Sequence, residues 1–469
     1  MQRVLSPPRS SASRSVSVAD AAVRVVTPPL PSIIAESPDR SLPPLSALSG
    51  FLRDIRKPAH LLVAISGGSD STGLLVGLSQ ILPFHPDIRL SAATIDHALR
   101  PGAAEEARAV ARLCAELGIF HVIRRWEGEK PTTGISAAAR EARYSLLSAI
   151  AGEIGATAIV TGHTADDQVE TVVMRAGRAE GQGDPSFSPG LSGMAPATLL
   201  DARHWILRPF LHSCRSDIRA FLSESGYSWI DDPSNLDPHY ERVRVRQTLA
   251  AGIPSIDFET IMLATRSRVE IAQRAADWLV EYAQIEQQVI AKIDPSGFGE
   301  KSAAIRHAIS MLAAVLGGRP HSLSRENADR LMVFVDSGMH GRMTTGRVIF
   351  DRRRDGLFLL RENRNLPHLS IGAGQTVVWD GRFRIENRGL QPIEVVAGTD
   401  HAAAFENAHS GLAKLGARVS PHVPEQGEGL VAIAPHLAPF DRFLPVFDLP
   451  LAAAIARLMG RQSYLLPPV

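Results

Sequence analysis

The sequence predicts an α/β fold built on a doubly wound, mainly parallel sheet. From about residue 46 to about residue 180, short apolar runs alternate with segments of helical periodicity. This is the order of strands and helices in a parallel sheet. Ligands of such sheets bind beyond the carboxyl ends of the strands. Because glycine, histidine and acidic residues directly follow several of the apolar runs, the functional site is predicted at that edge.

Four apolar runs are the predicted strands of this sheet. They are HLLVAIS (60–66), RLSAATIDH (89–97), FHVIRRW (120–126) and TAIVTGH (157–163). Helical spacing marks the segments that follow them, namely TGLLVGLSQIL (72–82), AAEEARAVARLCAELG (103–118), SAAAREARYSLLSAIAGEIG (136–155) and ADDQVETVVMRAG (165–177). Run lengths of this kind are typical of strands joined by crossover helices.

Composition limits what the chain can be. It has 469 residues, 45% of them hydrophobic, and a net charge of +1, which is typical of a globular protein with several domains. A near-neutral balance neither proves nor excludes a nucleic acid partner, because local clusters of Arg and Lys bind phosphate backbones. No apolar run approaches the ~18 residues of a membrane span. A soluble protein without a membrane partner is therefore predicted.

The cysteines favour a reducing, cytoplasmic location. Cys114 and Cys214 are the two cysteines of the chain, and neither belongs to a CxxC pair. Zinc ribbons, iron–sulfur clusters and dithiol redox chemistry are therefore not expected. Cys114 lies among the apolar residues of a predicted helix and is predicted to belong to the core.

The turn after the first predicted strand is the most informative motif. It consists of Ser66, Gly67, Gly68, Ser69, Asp70 and Ser71. Two adjacent glycines permit positive φ and a close approach to a ligand, while backbone N–H groups and the positive helix end point at phosphate oxygens. A plain serine-glycine connection is the alternative, but the preceding strand and following helix favour an anion cradle. No GxxxxGK[ST] occurs, and no GxGxxG opens a helix after a strand.

A second motif follows the fourth predicted strand and begins a helix. It reads Gly162-His163-Thr164-Ala165-Asp166-Asp167-Gln168-Val169-Glu170-Thr171. A helix cap at Thr164 or Asp166 would place Asp167 and Glu170 on one helix face, near bound phosphates. Paired carboxylates there suit Mg²⁺. Acids in a first helical turn also complement the helix dipole without any ligand, so the residues alone leave both interpretations open.

The first motif resembles the SGGxDS loop of the PP-loop family, the N-type ATP pyrophosphatases. The second resembles the GHHxDDQxET segment of one branch, the tRNA(Ile)-lysidine synthases, with Thr164 in place of the second His. Further strings follow in the order of that branch, so the resemblance covers residues 59 to about 248. They are Asp96-His97-Ala98-Leu99-Arg100, Ala139-Arg140-Glu141-Ala142-Arg143-Tyr144, Gly190-Leu191-Ser192-Gly193-Met194, Arg208-Pro209-Phe210-Leu211, and Asp232-Pro233-Ser234-Asn235 followed by Tyr240-Glu241-Arg242 and Arg246.

The resemblance implies a PP-loop, adenine nucleotide alpha hydrolase-like fold and a role for each matched residue. The implied catalytic residues are Asp70, Asp167, Glu170 and Arg143, with Asp70 and Asp167 also as Mg²⁺ ligands. The implied nucleotide-binding residues are the six of the 66–71 loop together with Asp96, His97, Gly162 and His163. The implied tRNA contacts are Arg208, Arg242 and Arg246. Plain alternatives are a solvated helix arginine and a histidine satisfied at a strand end.

The spacing of the arginines near residue 244 also bears on RNA binding. Arg242, Arg244 and Arg246 alternate along the chain, and alternate residues of an extended segment lie on one side. Such a row suits an RNA backbone. A solvated edge is the alternative.

The activity that the resemblance implies is that of a ligase. ATP would adenylate the C2 oxygen of the wobble cytidine in the CAU anticodon of tRNA(Ile). The ε-amine of L-lysine would then displace AMP to give lysidine, with ATP and Mg²⁺ as cofactors. Two alternatives stay open: a PP-loop tRNA thiolase, which normally needs paired cysteines, and a non-catalytic RNA-binding protein that keeps ATP as a structural ligand.

Four regions are predicted along the chain. Residues 1–45, rich in Ser, Pro and Arg, form a disordered extension, and a low-complexity extension or an early start codon is favoured over an organellar transit peptide. An ATP-binding catalytic domain spans 46–250, a helical substrate- or tRNA-binding domain 251–345, and a small mixed domain 346–469. Helical periodicity over 256–285 and 301–340, and alternation over 346–363 and 375–387, support the last two.

Asp351-Arg352-Arg353-Arg354-Asp355 is predicted to form a charged turn between strands, with RNA contact as the minority interpretation. The sequence leaves the oligomeric state open, with a homodimer as one option.

Overall fold

The structure is a computed structural model that describes residues 41–99, 102–179, 189–231, 237, 239, 241–250, 258–299, 302–399, 405–424 and 430–469. Several sequence predictions fall outside these ranges. They are the disorder of residues 1–40 and the roles of Arg100, of Asp232-Pro233-Ser234-Asn235 and of Tyr240. Residues 41–45, the rest of the predicted 1–45 extension, are described. Leu42 N donates to His212 O at 2.8 Å, and a helix begins at Pro44.

A mainly parallel sheet forms the centre of the first half of the chain. Its first six strands are β1 (Ala59–Ala64), β2 (Ile88–Asp96), β3 (Phe120–Arg125), β4 (Ala158–Thr161), β5 (Ala197–Leu200) and β6 (His204–Leu207). They lie in the order β5-β6-β4-β1-β2-β3, and β5 is antiparallel to β6 while the other pairs are parallel. The four predicted strands are β1 to β4, so the predicted parallel sheet is confirmed.

Helices cover both faces of this sheet. They are α1 (Pro44–Asp54), α2 (Ser69–Ile81), α3 (Ala103–Glu116), α4 (Ile135–Ile154), α5 (Ala165–Ala179), α6 (Arg215–Glu224) and α7 (Glu241–Ala250). The central strand β1 is buried along its whole length. Leu61 and Val63 belong to one hydrophobic core, whereas Leu62 and Ala64 belong to another. Alternate residues of a strand point to opposite faces, so both faces of the sheet are packed.

The second half of the chain contains a helical layer and an antiparallel sheet. The helices are α8 (Phe258–Tyr282), α9 (Ala303–Leu316) and α10 (Arg325–Asp336). The strands β7 (Ala283–Glu286), β8 (Ile290–Ile293), β9 (Gly341–Thr345), β10 (Val348–Arg353) and β11 (Gly356–Arg361) form a sheet in the order β7-β8-β11-β10-β9. The predicted charged turn is shorter than expected. Asp351 lies inside β10, where it is buried and binds Arg342 and Arg353.

Two small antiparallel sheets follow. They contain β12 (Leu369–Ile371), β13 (Thr376–Trp379), β14 (Phe383–Asn387), β15 (Ile393–Ala397), β16 (Pro421–His422) and β17 (Val431–Pro435), together with α11 (Ser410–Arg418). β13 and β14 form the hairpin expected from the alternation over 375–387. These elements surround a separate core that includes Trp379 and Ile385.

The end of the chain returns to the first sheet. β18 (Phe443–Pro445) pairs antiparallel with β5 and becomes the seventh strand of that sheet. α12 (Leu449–Leu458) then packs against α8. The predicted range 346–469 therefore contributes to more than one sheet, and the domain boundaries stay predictions. No helix in the described ranges is long and apolar enough to cross a membrane.

Candidate active site

The 66–71 loop leads from β1 into α2 with a conformation that needs glycine. Gly67 has φ of +89°, in the region where residues with a Cβ are strained. Its carbonyl accepts hydrogen bonds from Ile230 N at 2.9 Å and from Thr72 Oγ1 at 3.1 Å. The Ser71 hydroxyl accepts from Ser66 N and donates to Gly68 O, each at 3.2 Å. These hydrogen bonds fix the loop conformation. The first N–H groups of α2 have no partner inside the helix.

Gly162 lies where β4 ends, directly against this loop. A Cβ placed there would lie 2.7 Å from the Asp70 carbonyl oxygen and 3.0 Å from Ser71 N. Real Cβ atoms do not approach backbone atoms so closely. The glycine predicted to bind nucleotide thus has a packing role, because it lets the end of β4 lie against the start of α2.

A cavity of about 790 Å³ opens beside the loop at the carboxyl ends of β1 and β4. Its charged lining residues are Arg143, Arg215, Arg219, Arg246, Asp70 and Asp231. Arginines outnumber aspartates, so the cavity favours an anionic ligand. Its volume lies within the range of small-molecule sites, about 300–1,000 Å³.

An acid–arginine cluster adjoins this cavity. It consists of the carboxylates of Asp70, Asp167 and Glu170 and the guanidinium groups of Arg215, Arg242 and Arg246. Arg215 joins all three acids, with Nε 3.0 Å from Asp70 Oδ2, Nη2 2.9 Å from Asp167 Oδ1 and Nη1 3.5 Å from Glu170 Oε1. The sequence placed the three acids together, and the structure adds a positive charge between them.

The other two arginines enclose the Glu170 carboxylate. Arg242 Nε lies 2.6 Å from Glu170 Oε2, and Arg246 Nε lies 2.6 Å from Glu170 Oε1. Arg242 Nη2 also lies 2.8 Å from Asp167 Oδ1. The Glu170 side chain is only 2% exposed, so removing one partner would leave a buried charge without compensation.

The two deep acids of the cluster have opposite pKa shifts. Burial raises the pKa of Asp167 above its ordinary value, against the charges of Arg242 and Arg215. Burial also acts to raise the pKa of Glu170, but the hydrogen bonds and charges of Arg246 and Arg242 outweigh it and leave that pKa lowered. Asp167 is therefore better suited to hold a proton, and Glu170 to stay ionised.

The start of α5 is capped as the sequence motif predicted. The Asp167 carboxylate accepts from Thr164 N at 2.9 Å, and the Thr164 hydroxyl accepts from Asp167 N at 3.4 Å. This reciprocal arrangement is a capping box. It fixes Asp167 in the first turn of α5 while the second carboxylate oxygen faces the arginines. Thr164, which stands where the family pattern has a second His, thus serves as the helix cap.

A second group of arginines includes one residue of the cavity lining, Arg143. We define the arginine wall as Arg140, Arg143 and Arg208, which surround the buried ring of Tyr144. Arg208 is buried and donates to Ala195 O at 2.7 Å and to Thr198 Oγ1 at 2.9 Å. The Arg140 guanidinium lies 5.0 Å from the Tyr144 ring centroid. Among the described residues, no carboxylate pairs with Arg143 or Arg208.

The pKa values of His163 and Tyr144, which lie beside the arginine wall, are both lowered. Burial lowers the pKa of His163 well below its ordinary value, and the charges of Arg208 and Arg143 add to that effect. Burial would raise the pKa of Tyr144, but Arg140, Arg208 and Arg143 outweigh it, so the pKa is lowered. His163 is neutral at physiological pH, and its Nδ1 lies 2.9 Å from Thr161 Oγ1.

Asp96 and His97 end β2 beside the arginine wall. Asp96 Oδ1 accepts from Ala98 N at 2.8 Å, so this carboxylate stabilises the turn that follows the strand. His97 Nδ1 is buried and has no hydrogen-bond partner among the described residues. Burial lowers the pKa of His97, and the charge of Arg143 adds to that. Neither residue is part of the cavity lining, so their predicted contact with nucleotide stays a prediction.

The predicted extended segment around Arg244 is wrong. Residues 241–250 form α7, so Arg242 and Arg246 lie on one helix face and Arg244 lies elsewhere. The alternation of arginines therefore does not mark a strand. Instead, α5 packs against α7, and the acids of α5 bind the face of α7 that carries Arg242 and Arg246. Arg208 directly follows β6 and is buried. The predicted tRNA contacts of these arginines stay untested predictions.

The predicted Mg²⁺ ligands fit a metal unequally. Asp70 lines the cavity, whereas the Asp167 oxygens are taken by Arg215, Arg242 and the backbone of Thr164. No group of three or more His, Cys, Asp or Glu side chains in the described ranges could hold a metal ion. Mg²⁺ often uses one or two carboxylates together with substrate phosphates. Asp70 is the better placed of the two acids because it lines the cavity, although its oxygens accept hydrogen bonds from Arg215 and Ser69. The metal roles of Asp70 and Asp167 stay predictions.

Sequence reasoning missed Arg215 and Arg219, which line the cavity. Arg215 occupies the first position of α6, where a cation opposes the helix dipole. A basic residue at that position was the available signal, since local rules are broken most often at functional sites. Arg219 Nε lies 3.3 Å from Ser69 Oγ, and its Nη2 lies 3.1 Å from Asp231 Oδ1.

The match to known families agrees with this architecture. Residues 45–253 match the family model of the PP-loop domain. The first half of the chain is therefore an ATP-binding PP-loop domain, as the loop motif predicted. A solved structure of a U34-tRNA thiolase from Methanococcus maripaludis aligns with 44% of this chain and 71% of that chain, at 14% identity and a TM-score of 0.36.

Relatives extend the match to nearly the whole chain. The tRNA(Ile)-lysidine synthase of Rhizobium meliloti (strain 1021) is 43% identical over 446 residues, which cover 91% of this chain and 97% of that protein. The tRNA(Ile)-lysidine synthase of Mesorhizobium japonicum is 39% identical and covers 85% and 92%. That of Brucella anthropi is 35% identical and covers 86% and 94%. The chain belongs to the tRNA(Ile)-lysidine synthase family of tRNA-modifying enzymes.

Proposed function

We propose that this enzyme joins L-lysine to C2 of the wobble cytidine in the CAU anticodon of tRNA(Ile). The observation that carries the proposal is the cavity at the carboxyl ends of β1 and β4, which is lined by the 66–71 loop and four arginines. Two of these arginines, Arg215 and Arg246, also belong to the acid–arginine cluster. This supports an anion site for ATP beside the carboxylates that we assign to the lysine amine. The names of the relatives support the choice of tRNA and lysine.

ATP is proposed to bind with its phosphates at the loop. The first N–H groups of α2 and the positive end of its dipole favour phosphate there. Arg215 and Arg219 lie on the same side of the cavity, where their guanidinium groups complement phosphate oxygens. Arg143, a member of the arginine wall, lines the same cavity as Arg215 and Arg219. Because no described carboxylate neutralises Arg143, its charge is available to an anionic ligand.

The first chemical step is proposed to be adenylation of the cytidine. The C2 oxygen forms a bond to the α phosphorus, the bond between the α and β phosphates breaks, and pyrophosphate leaves. The cytosine carbonyl is a poor electrophile until its oxygen becomes part of a leaving group. Arg143 is proposed to stabilise the charge that develops on the transferred phosphate, since a fixed cation in a partly buried site needs no reorganisation.

The second step is proposed to be attack by the lysine ε-amine. Nitrogen bonds to C2, the bond between C2 and the adenylate oxygen breaks, AMP leaves, and the amine loses a proton. Asp167 and Glu170 are proposed to orient the amine. The raised pKa of Asp167 makes it the better proton acceptor of the two, while Glu170, with its lowered pKa, provides negative charge.

Mg²⁺ is proposed to accompany ATP, with Asp70 as the protein carboxylate nearest the phosphates. A divalent ion there would neutralise charge on the departing pyrophosphate. The thiolase alternative is less favoured, because the thiol of Cys114 is buried and Cys214 is a separate free cysteine. The non-catalytic alternative is also less favoured, since it gives no reason for three acids beside an anion site.

A labelling experiment tests the proposed function. The full-length enzyme is incubated with ATP, Mg²⁺, radiolabelled lysine and a tRNA(Ile) transcript with a CAU anticodon. The matched control is the same transcript with uridine at the wobble position. We expect ATP-dependent label in the CAU transcript alone, with AMP and pyrophosphate formed in equal amounts. Label in neither transcript, with an enzyme that binds ATP, would contradict the proposed acceptor or the proposed lysine donor.

A further inference from the structure

The last strand of the chain contacts the elements that carry the arginine wall. β18 pairs with β5 through Phe443 opposite Leu200 and Pro445 opposite Thr198. The hydroxyl of Thr198 is one of the two acceptors of Arg208 Nη1. β18 therefore fixes the strand that holds Arg208, although more than 200 residues separate them in the chain.

A second contact joins β18 to α4. The Phe443 and Tyr144 rings meet edge to face, with centroids 5.5 Å apart. Tyr144 is buried and carries charge interactions with all three arginines of the wall. A shift of the Phe443 ring would therefore move the residue around which those arginines are arranged.

Arg442, which precedes β18, contacts the elements on both sides of this ring pair. Its guanidinium pairs with Asp201 in the turn between β5 and β6 and with Glu141 on α4. It also donates to Ser145 Oγ at 2.9 Å, and its Cζ lies 5.0 Å from the Phe443 ring centroid. One side chain thus ties together β18, the β5–β6 turn and the part of α4 that carries Arg140 and Arg143.

We propose that Arg442 and Phe443 are positioning residues, through which the C-terminal strand β18 holds Arg143 and Arg208 in the geometry used for adenylation. Neither residue is among those that line the cavity. They act through Tyr144, Glu141 and Thr198. The role assigned to Arg143 rests on the proposed function, while the mechanical link from β18 to Tyr144 does not.

The arginines of the wall need positioning by β18 because their arrangement is electrostatically unfavourable. Three guanidinium groups lie around one ring, and burial lowers the pKa of both Arg143 and Arg208. Without carboxylates among the described residues to hold them, they depend on the rigidity of α4 and β5. At a phosphate-transfer site, a displacement of about 1 Å can cost about 100-fold in rate.

A double-mutant cycle measures this coupling. The variants are Arg442→Ala, Arg143→Ala and the double variant, all in the full chain. The matched control is Arg124→Ala, because Arg124 Nη2 lies 2.6 Å from Glu153 Oε2. This partly exposed ion pair joins β3 to α4 near the end of α4, away from the wall. The readout is tRNA-dependent pyrophosphate release under saturating ATP, well below the unfolding temperature of every variant.

We expect Arg442→Ala to lower kcat by about tenfold and to change the ATP KM less than twofold. In the Arg143→Ala background, the same change should have a much smaller further effect, since Arg143 is the arginine of the wall that lines the cavity. Arg124→Ala should behave as wild type. If Arg442→Ala lowers kcat by the same factor in both backgrounds, β18 only adds stability and the inference is wrong.

A second readout does not depend on activity. The chain has five tyrosines, so 3-fluorotyrosine labelling gives a short ¹⁹F spectrum in which Tyr144→Phe assigns the Tyr144 signal. Arg442→Ala should shift or broaden that signal, and Arg124→Ala should leave it unchanged. An unmoved Tyr144 signal would overturn the inference. If wild-type enzyme releases no pyrophosphate while the Tyr144 signal still moves, the proposed function fails and the link from β18 to Tyr144 stands.

Discussion

The contact between Gly162 and the 66–71 loop gives a direct test of the candidate site. In Gly162→Ala the new Cβ would lie 2.7 Å from the Asp70 carbonyl oxygen and 3.0 Å from Ser71 N. Both neighbours are backbone atoms in the first turn of α2, so no side chain can rotate away. The end of β4 or the start of α2 must move by several tenths of an ångström.

Two effects of this movement can be estimated. Overpacking of this kind costs about 1–3 kcal/mol of folding free energy. Displacement of the loop N–H groups should also weaken ATP binding by about tenfold, which corresponds to about 1.4 kcal/mol. We would measure ATP affinity by isothermal titration calorimetry and the free energy of unfolding in urea.

Gly177→Ala is the matched control, because it adds the same methyl group to a helical glycine. Outside its own helix turn, no atom of the described residues lies within 4 Å of the new Cβ. There, alanine should be neutral or stabilise the protein by up to about 1 kcal/mol, with unchanged ATP affinity. If Gly162→Ala binds ATP as tightly as wild type and unfolds at the same urea concentration, the loop has room at this point and the packing argument fails.

Three further predictions concern charged and reactive groups. Glu170→Gln should lower the free energy of unfolding by about 3 kcal/mol, because it removes the buried carboxylate that three guanidinium groups share. It should also lower pyrophosphate release, while filter binding shows little loss of tRNA affinity. A stable, fully active variant would contradict this role. Arg242→Ala should leave the salt dependence of tRNA binding unchanged, since its guanidinium is already paired with Asp167 and Glu170; a slope of log K against log salt that flattens by nearly one unit would instead indicate a phosphate contact. Iodoacetamide at pH 8 should label Cys214 and spare Cys114 in the folded enzyme, because burial raises the pKa of the Cys114 thiol to about 11; equal labelling by mass spectrometry would refute that.

A fourth prediction concerns acid stability near the C-terminus. Asp441 is buried and accepts hydrogen bonds from Arg461 and Tyr464. Burial acts to raise its pKa, but His436, Arg461 and Tyr464 outweigh it and lower the pKa to about 2. Because the pKa is lower in the folded state, this stabilisation, about 2 kcal/mol, is present above the unfolded pKa near 4 and is lost as pH falls towards 2. Asp441→Asn should remove that part of the pH dependence of unfolding between pH 4 and pH 2, and an unchanged acid limb would refute it.

Local features of the candidate site could be predicted from the sequence. The β1 strand, the glycine turn and α2 follow from the apolar run, from Gly67 and from the helical pattern after it, all of which act between near neighbours in the chain. The cap of α5 by Thr164 and Asp167 is likewise a matter of residues three apart. Packing at long range was not needed to predict any of these elements.

The error at Arg242 to Arg246 has a physical cause. Alternating arginines suit one side of a strand, but α7 carries little helical amphipathicity of its own, so its sequence gave no clear period. The helix is stabilised by contact with α5, whose acids pair with Arg242 and Arg246. Tertiary context therefore decided its secondary structure.

The sequence by itself determined the strand–turn–helix cradle, the parallel sheet and the capped acid helix, because each depends on the spacing of residues close together in the chain. Only the tertiary structure decided which charges meet. Arg215 reaches Asp70 across 145 positions, and β18 reaches β5 across more than 200. No periodicity encodes such pairings, because they arise only after the chain is folded and a buried charge must find a partner of opposite sign.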